Sequence, residues 1–431
     1  MILSLSFTGL HNRSLNKLNF SWCSLVTIYS LCLLAGFLTI EMFSLDYTIR
    51  NLNEDSLTAK GGIKRATSGS IFYGNACIAM ILFIRLARQW PQLVRDWKMV
   101  ELAMARFGTP RLGWRFSVMS TVLFTLAFLE HGLHNWLNTR PGGKDDITAM
   151  STSQSGVTAT PGGPVNYSID NSLTFAGYLE RFSLKTHWFL FQEQTITSYN
   201  SVIGFMIMWL ALSATFLWNF TDLFIMLISA ALAAQLRMFT TGLTAARGQL
   251  FTNNEWREYR EAYTLLSLLV KKVDSHINSI IMLSVSSNVY FICAQLITEI
   301  DSIKHSYFRT LFYMYSSLFL VFRTTVVVMQ AAAINDETKR IPPELYLCPQ
   351  QSYCVETQRF LHEVTSDFVA LTGLNMFYIT RNFLLGWCIP GYSCLLNPNI
   401  LVSEYGTTVS WSFVDSICLN VFNRNENCHR L

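Results

Sequence analysis

A chain of 431 residues that is 51% hydrophobic and only 14% charged falls well short of the roughly 25% charged content of a soluble domain. Its formal net charge of +4 comes from basic residues scattered at the edges of apolar runs, which excludes a block built to grip nucleic acid. What remains is an all-α polytopic membrane protein.

Residues 1–20 read as a cytoplasmic tail. The apolar stretch Met1–Leu10 lacks a basic region before it and is followed by Arg13 and Lys17 rather than a small-residue cleavage site, so the first span is expected to serve as its own insertion signal. A spanning helix needs about 20 mainly apolar residues. Trp22–Phe43, Ile71–Leu86 and Phe116–Leu137 approach or meet that length and place spans 1–3 within 21–138. The segment 139–198 reads as an extracellular loop, rich in turn formers such as Pro141-Gly142-Gly143 and Pro161-Gly162-Gly163-Pro164. It holds the glycosylation acceptor Asn166-Tyr167-Ser168. The other sequons, at Asn12, Asn19 and Asn219, fall in the tail or within a span.

Span 4, Val202–Leu232, belongs to a helical pattern over 199–243 that is about twice as long as the hydrocarbon is thick. Its second half is expected to project into the cytoplasm. Residues 244–275 read as a cytoplasmic helical region, with Trp256, Tyr259, Tyr263, Leu266 and Leu269 near one face of Glu255–Val273. Spans 5 and 6, Ile277–Ile297 and Leu311–Ile334, occupy 276–334, and 335–387 contains a cytoplasmic loop followed by a weaker seventh segment, Phe368–Trp387, interrupted by Arg381. The polar tail 388–431 carries Pro390, Pro398, Glu404, Asp415 and Arg424 and makes a poor span. Basic residues gather after span 2 (Arg88, Arg95, Lys98, Arg106, Arg111, Arg115) and after span 4 (Arg237, Arg247, Arg257, Arg260, Lys271, Lys272). The positive-inside rule therefore puts the N-terminus in the cytoplasm.

Outer loops without cysteine exclude a disulfide-stapled ectodomain. Cys348, Cys354 and His362 fit no zinc spacing and read as packing. Ionisable groups inside spans are functional candidates. Span 3 carries Glu130, His131 and His134 within about one turn, then Trp136; span 5 carries Asn288, Tyr290 and Gln295, and span 6 carries Tyr313 and Tyr315 at similar depth. Carboxylate, amide and imidazole groups interleaved with rings suit a polyhydroxylated ligand. The same residue types also form interfacial belts, and residue type alone does not decide between the two. Asp222 and Arg323 lie toward the inner half, as an interhelical polar pair or with Arg323 snorkelling to the interface. No Walker loop, GxSxG, HExxH or dinucleotide fingerprint appears, so the chain is read as a non-enzyme without a cofactor. A channel, receptor or transporter remains, and the absence of repeated halves counts against the last.

Several stretches resemble the insect gustatory receptors, in particular the sugar receptor clade. They are Phe83-Ile84-Arg85-Leu86-Ala87-Arg88-Gln89-Trp90-Pro91, Leu129-Glu130-His131, the run from Thr215 through Trp218-Asn219-Phe220-Thr221-Asp222 to Ser229, Asn288-Val289-Tyr290-Phe291-Ile292-Cys293, Val369-Ala370-Leu371-Thr372-Gly373 and Phe377-Tyr378-Ile379-Thr380-Arg381. The resemblance implies a seven-transmembrane chemoreceptor fold and a sugar-gated, nonselective cation channel in the plasma membrane of a sensory neuron dendrite. It also implies a homo- or hetero-tetramer with other gustatory receptor subunits. Sugars would bind in an outward-facing pocket among spans 1–6, and a split seventh span would line the pore. Family members end on a pore helix with a Thr-Tyr-x5-Gln-Phe signature, whereas here the chain continues from Leu385 as Gly386-Trp387-Cys388-Ile389-Pro390-Gly391. The resemblance thus implies that the pore helix is replaced.

Overall fold

In a computed structural model the described residues are 20–51, 62–110, 112–139, 174–191, 199–302 and 307–383. The acceptor Asn166 and the tail 388–431 lie outside them. Helix α1 spans Leu25–Asn51, α2 Gly62–Ala103, α3 Gly113–Thr139, α4 Phe175–Thr186, α5 Ser201–Ala245, α6 Asn253–Ser302, α7 Tyr307–Thr338, α8 Ile341–Tyr346 and α9 Val355–Ser366. Six of these (α1, α2, α3, α5, α6 and α7) are long and apolar enough to cross a bilayer. Five of them contain one of the first six runs read from the sequence, and α1 takes in all of the first run but Trp22-Cys23-Ser24.

Local chemistry sets the helix ends. Asn200 accepts from the Val202 N–H at 3.0 Å and starts α5. Thr252 and Glu255 form a reciprocal box at the start of α6: the Thr252 N–H donates to the carboxylate (2.7 Å), and the Glu255 N–H donates to the Thr252 hydroxyl (3.4 Å). Between the two helices Gly248 sits at φ +81°, a left-handed conformation that costs glycine no Cβ clash. The cytoplasmic pattern of 244–275 and span 5 merge into the single helix α6. Val273-Asp274-Ser275-His276 offers neither proline nor glycine to interrupt it.

Helices α5 and α7 pack along each other, as do α1 and α2, and α2 also packs on α6. Below the membrane the extensions of α5 and α6 close on α9 around Phe239, Tyr259, Tyr263 and Phe360. The apolar face expected on the cytoplasmic helix is therefore covered within one chain. Ion pairs rim this bundle: Arg260 with Glu356 at 2.9 Å, Lys271 with Asp367 at 2.6 Å, and Arg106 with Glu258. The two arginines beside it, Arg260 and Arg359, hold the Glu356 carboxyl below the usual range by hydrogen bonding and charge.

The segment Phe368–Trp387 is corrected by the structure. Its described part, through Phe383, contains no spanning helix. Thr372-Gly373 and Phe377-Tyr378 form an antiparallel hairpin, β1 and β2, with Thr372 opposite Tyr378. Leu374 and Asn375 both take positive φ (49° and 57°), a turn geometry closed by the Met376 N–H donating to Gly373 at 2.9 Å. Asp274 of α6 pins the hairpin, accepting from the Thr372 N–H and hydroxyl at 2.7 Å each. A short apolar run bounded by turn residues fits strand as well as helix, and this tertiary anchor decides the matter.

The orientation yields a direct test. An epitope in the N-terminal tail should stay hidden from antibody in intact cells, and one inserted at Gly156 should be labelled. Surface labelling of the tail without permeabilisation would reverse the topology.

Candidate functional site

Two polar layers lie inside the helix bundle, one above the other. The outer layer joins three spans. Gln295 of α6 donates from Nε2 to the Ser316 hydroxyl of α7 at 3.0 Å, and Ser316 donates to Glu130 Oε1 of α3 at 2.7 Å. Nearby, the Tyr315 hydroxyl donates to the Leu126 carbonyl at 3.0 Å and ties α7 to α3 again. Two buried polar atoms of this layer have no hydrogen-bond partner among the described residues: the acceptor Gln295 Oε1 and the ring nitrogen His131 Nε2. A buried amide oxygen without a donor costs about 1–3 kcal/mol. A hydroxylated ligand or water would remove that cost.

The other residues singled out from the sequence surround this chain at various distances. His134 accepts from the Asn138 amide at 3.1 Å, and its ring lies 5.8 Å from that of Phe312. Trp136 projects outward, more than half exposed. Tyr290 pairs its hydroxyl with Thr67 of α2 at 2.8 Å. Tyr313 is half-buried on α7. No group of three or more His, Cys, Asp or Glu side chains among the described residues is arranged to hold a metal ion.

Asn288 shares the depth of the outer residues in sequence but faces the inner layer in the structure. There Arg323 of α7 meets Asp222 of α5, Nε to Oδ2 at 2.7 Å, and both side chains are sealed from solvent. The guanidinium also donates to Asn219 Oδ1 (2.5 Å) and Asn288 Oδ1 (3.2 Å). Asp222 accepts in addition from Ser284 at 2.5 Å and from the Asn288 amide at 3.1 Å. The Trp218 ring lies under the cation, 4.3 Å from Cζ to centroid. Arg323 thus turns inward to this network rather than outward to the interface. Both carboxylate oxygens and the two terminal guanidinium nitrogens are hydrogen-bonded, while Nε meets the carboxylate at ion-pair distance without hydrogen-bond geometry, so the inner layer is close to saturated.

Sequence reasoning missed Ser316, Trp218 and Ser284 as members of these layers. Helical spacing carries a signal for each. Ser316 stands seven residues before Arg323, Trp218 four before Asp222, and Ser284 four before Asn288, so each pair shares a face. An outer cap was also missed. His187, just after α4, receives Tyr73 of α2 at 2.6 Å, and Arg181 donates from Nε to the Thr139 carbonyl at the end of α3 at 2.8 Å. Burial pushes the His187 imidazole down to about 3, and the neighbouring His134 adds to the shift. It is therefore neutral in neutral solution and accepts the hydrogen bond of the Tyr73 hydroxyl.

Comparison with known proteins places this architecture. A family model described as trehalose receptor matches residues 3–138 and 165–416, most of the chain. The second stretch runs through 388–416, part of the tail set apart in the sequence. The chain is 29% identical over 382 residues to the gustatory receptor for sugar taste 64f of Drosophila melanogaster, covering 88% of this chain and 73% of that one. It is 27% identical over 384 residues to the gustatory receptor for sugar taste 64a, covering 88% and 76%. It is 28% identical over 329 residues to gustatory receptor 5a for trehalose, covering 74% and 66%, both again from Drosophila melanogaster. Among solved structures, the insect olfactory receptor OR5 of Machilis hrabei superposes with a TM-score of 0.62 at 10% identity, covering 92% of this chain and 93% of that one. That likeness shows the fold, an insect chemoreceptor bundle. The relatives are receptors rather than enzymes. On the extent of the family match and the relatives that accompany it, the chain belongs to the trehalose receptor family of insect sugar gustatory receptors.

Proposed function

We propose that this protein is a sugar-gated, nonselective cation channel subunit of the plasma membrane of taste neurons, placed in the sensory dendrite and working in a homo- or hetero-tetramer with other gustatory receptor subunits. The observation that supports it most is the outer layer. Glu130, Gln295 and Ser316 come from three spans, and Gln295 Oε1 and His131 Nε2 are buried polar atoms left open. Groups of this kind take hydroxyls, and the rings of Phe312 and Tyr313, about one turn before Ser316 on α7, offer apolar faces for the C–H side of a sugar. Relatives named for sugar taste and for trehalose support the ligand class. A ligand here would shift the gating equilibrium by its differential affinity for the two states. Helix α7 gives that shift a path, since Ser316 and Arg323 lie seven residues apart on it.

A second reading, a sugar-binding subunit that does not conduct alone, is favoured by Pro390 and Pro398 in the tail. Proline in a helix interior costs about 3 kcal/mol. Whole-cell recording on two proteins separates the readings. One is the unmodified chain, and the other carries a family-type ending with the Thr-Tyr-x5-Gln-Phe signature grafted after Leu385. The expected result is sugar-evoked cation current from the graft and none from the unmodified chain alone. Robust current from the unmodified chain would assign the pore to its own tail. Saturable sugar uptake without current in either would point to a transporter instead.

A further inference from the structure

Beneath the two polar layers, where α5 and α7 emerge from the bundle, lies an open cavity of about 420 Å³ lined by Arg237, Thr240, Thr241, Thr244, Glu337, Lys339, Arg340, Pro343 and Glu344. That volume lies within the range of small-molecule sites. The lining contains no large apolar side chain, so a hydrophobic occupant has nothing to bury against.

Its charges do not cancel. Glu337 is almost fully buried and is matched by Arg237, whose Nε and a terminal nitrogen donate to it at 2.8 and 2.6 Å. Glu344 is matched by Arg247 at 2.8 Å. Two cations are left over. Lys339 is exposed and has no carboxylate within 4.0 Å among the described residues. Arg340 is 62% exposed, and its nearest carboxylate oxygen, 3.4 Å away, belongs to the Glu337 already held by Arg237. A rim with two surplus positive charges beside threonine hydroxyls suits an anion carrying at least two negative charges and several acceptor oxygens, which is the chemistry of phosphate esters.

Two sources of that chemistry are within reach. Phe308 to Glu337 is a rise of about 44 Å along α7, at about 1.5 Å per residue, against a bilayer of about 40–45 Å including its headgroup layers. The cavity therefore lies at the inner headgroup layer or just beyond it, on the side that the basic connections assign to the cytoplasm, where a phosphorylated headgroup and a soluble phosphate ester can both arrive.

We propose that this cavity binds a multiply phosphorylated group, carried by a soluble small molecule or by a lipid headgroup, held by Lys339 and Arg340. The proposal is independent of sugar recognition in the outer layer.

The test uses the full chain in neutral-lipid nanodiscs, titrated calorimetrically with inositol 1,4,5-trisphosphate and with inositol, which measures what the outer layer's affinity for hydroxyls contributes. The trisphosphate is expected to bind at least tenfold more tightly than inositol, and the excess should weaken with added salt. The double variant Lys339→Ala/Arg340→Ala should weaken it at least tenfold, while Lys271→Ala, which breaks a distant ion pair, should leave it within twofold. A parallel arm places the corresponding phosphoinositide in the nanodisc and measures capture of the chain with and without the double substitution. Unchanged melting temperature shows that the variants are folded, and Arg340→Lys serves as a milder substitute should the double variant fail that check. Binding of the soluble trisphosphate that the double substitution weakens supports the proposal with a free phosphate ester as the source, and binding of the lipid form alone that the double substitution weakens supports it with a headgroup as the source. No binding of either form, or equal binding by the folded variants, overturns the proposal.

Discussion

Replacing Arg323 with Met is expected to strip folded receptor from the cell surface. The substitution leaves Asp222 at 0% exposure with its cationic partner gone. Removing one member of a buried ion pair costs about 3–5 kcal/mol, because the other charge stays buried and uncompensated. That corresponds to a loss on the order of a hundredfold to a few thousandfold in the folded-to-unfolded ratio. A domain has only about 5–15 kcal/mol in reserve. Asp222→Asn should be damaging too, since it leaves the guanidinium among Asn219, Asn288 and Trp218 with no anion. The informative variant is the pair. Asp222→Asn together with Arg323→Met removes both charges, and the asparagine still offers an oxygen to Ser284. Surface biotinylation and melting of detergent-extracted protein should show both single variants depleted and the double variant recovered to a large part of the parent level. If the singles match the parent in amount and melting temperature, the pair contributes little, and the saturation of the inner layer is incidental.

That network also shows where sequence reading succeeds and where it stops. The six spans are legible because a bilayer imposes a length and an apolar content that few other helices meet. How far the helices continue beyond the membrane is less legible. Water sets no length limit, and Val273 through His276 contains nothing that either breaks or demands a helix. The hairpin at Thr372–Tyr378 was hidden for a related reason. Val369-Ala370-Leu371 is too short to show a period, and Asp274, some hundred residues earlier in the chain, supplies the hydrogen bonds that decide its shape. Asp222 and Arg323 announced themselves by type and depth, but not whether they meet. Their meeting depends on Asn219, Trp218 and Asn288 converging from α5 and α6, which one helix at a time does not reveal. Asn288 shows the limit most plainly. Depth and helical face both grouped it with Gln295, seven residues or about two turns away, whereas its hydrogen bonds to Asp222, which Ser284 also donates to, place it in the inner layer. Glu130 and Gln295 were read as neighbours in depth, and the residue that joins them, Ser316, is too small and common to draw attention.

Substitution of Glu130, Gln295 or Ser316 is expected to raise the half-maximal sugar concentration while leaving the receptor at the surface. Glu130 is only partly buried, and its contact to Ser316 is a single hydrogen bond of 2.7 Å, so its removal does not strand a sealed charge as loss of Arg323 does. A hydrogen bond to a ligand lost in a desolvated site costs about 1–3 kcal/mol, or roughly 5- to 150-fold in affinity. Glu130→Ala and Gln295→Ala should both fall in that range. Glu130→Gln keeps an acceptor for Ser316 but loses the charge, and should be milder, since bonds to an ionised acceptor are about twice as strong as neutral ones. Ser316→Ala distinguishes recognition from architecture. The serine bridges the other two, so its loss frees Glu130 Oε1 and the Gln295 amide together. If those groups are held for the ligand, affinity falls with all three variants, and the double variant Glu130→Ala/Ser316→Ala adds less than the sum of its parts. Sugar binding to the purified chain gives the measurement without requiring conduction, and surface labelling reports folding beside it. Three variants at parental surface level with unchanged sugar affinity would move the recognition site away from the outer layer and leave Glu130, Ser316 and Gln295 as a structural tie between α3, α6 and α7.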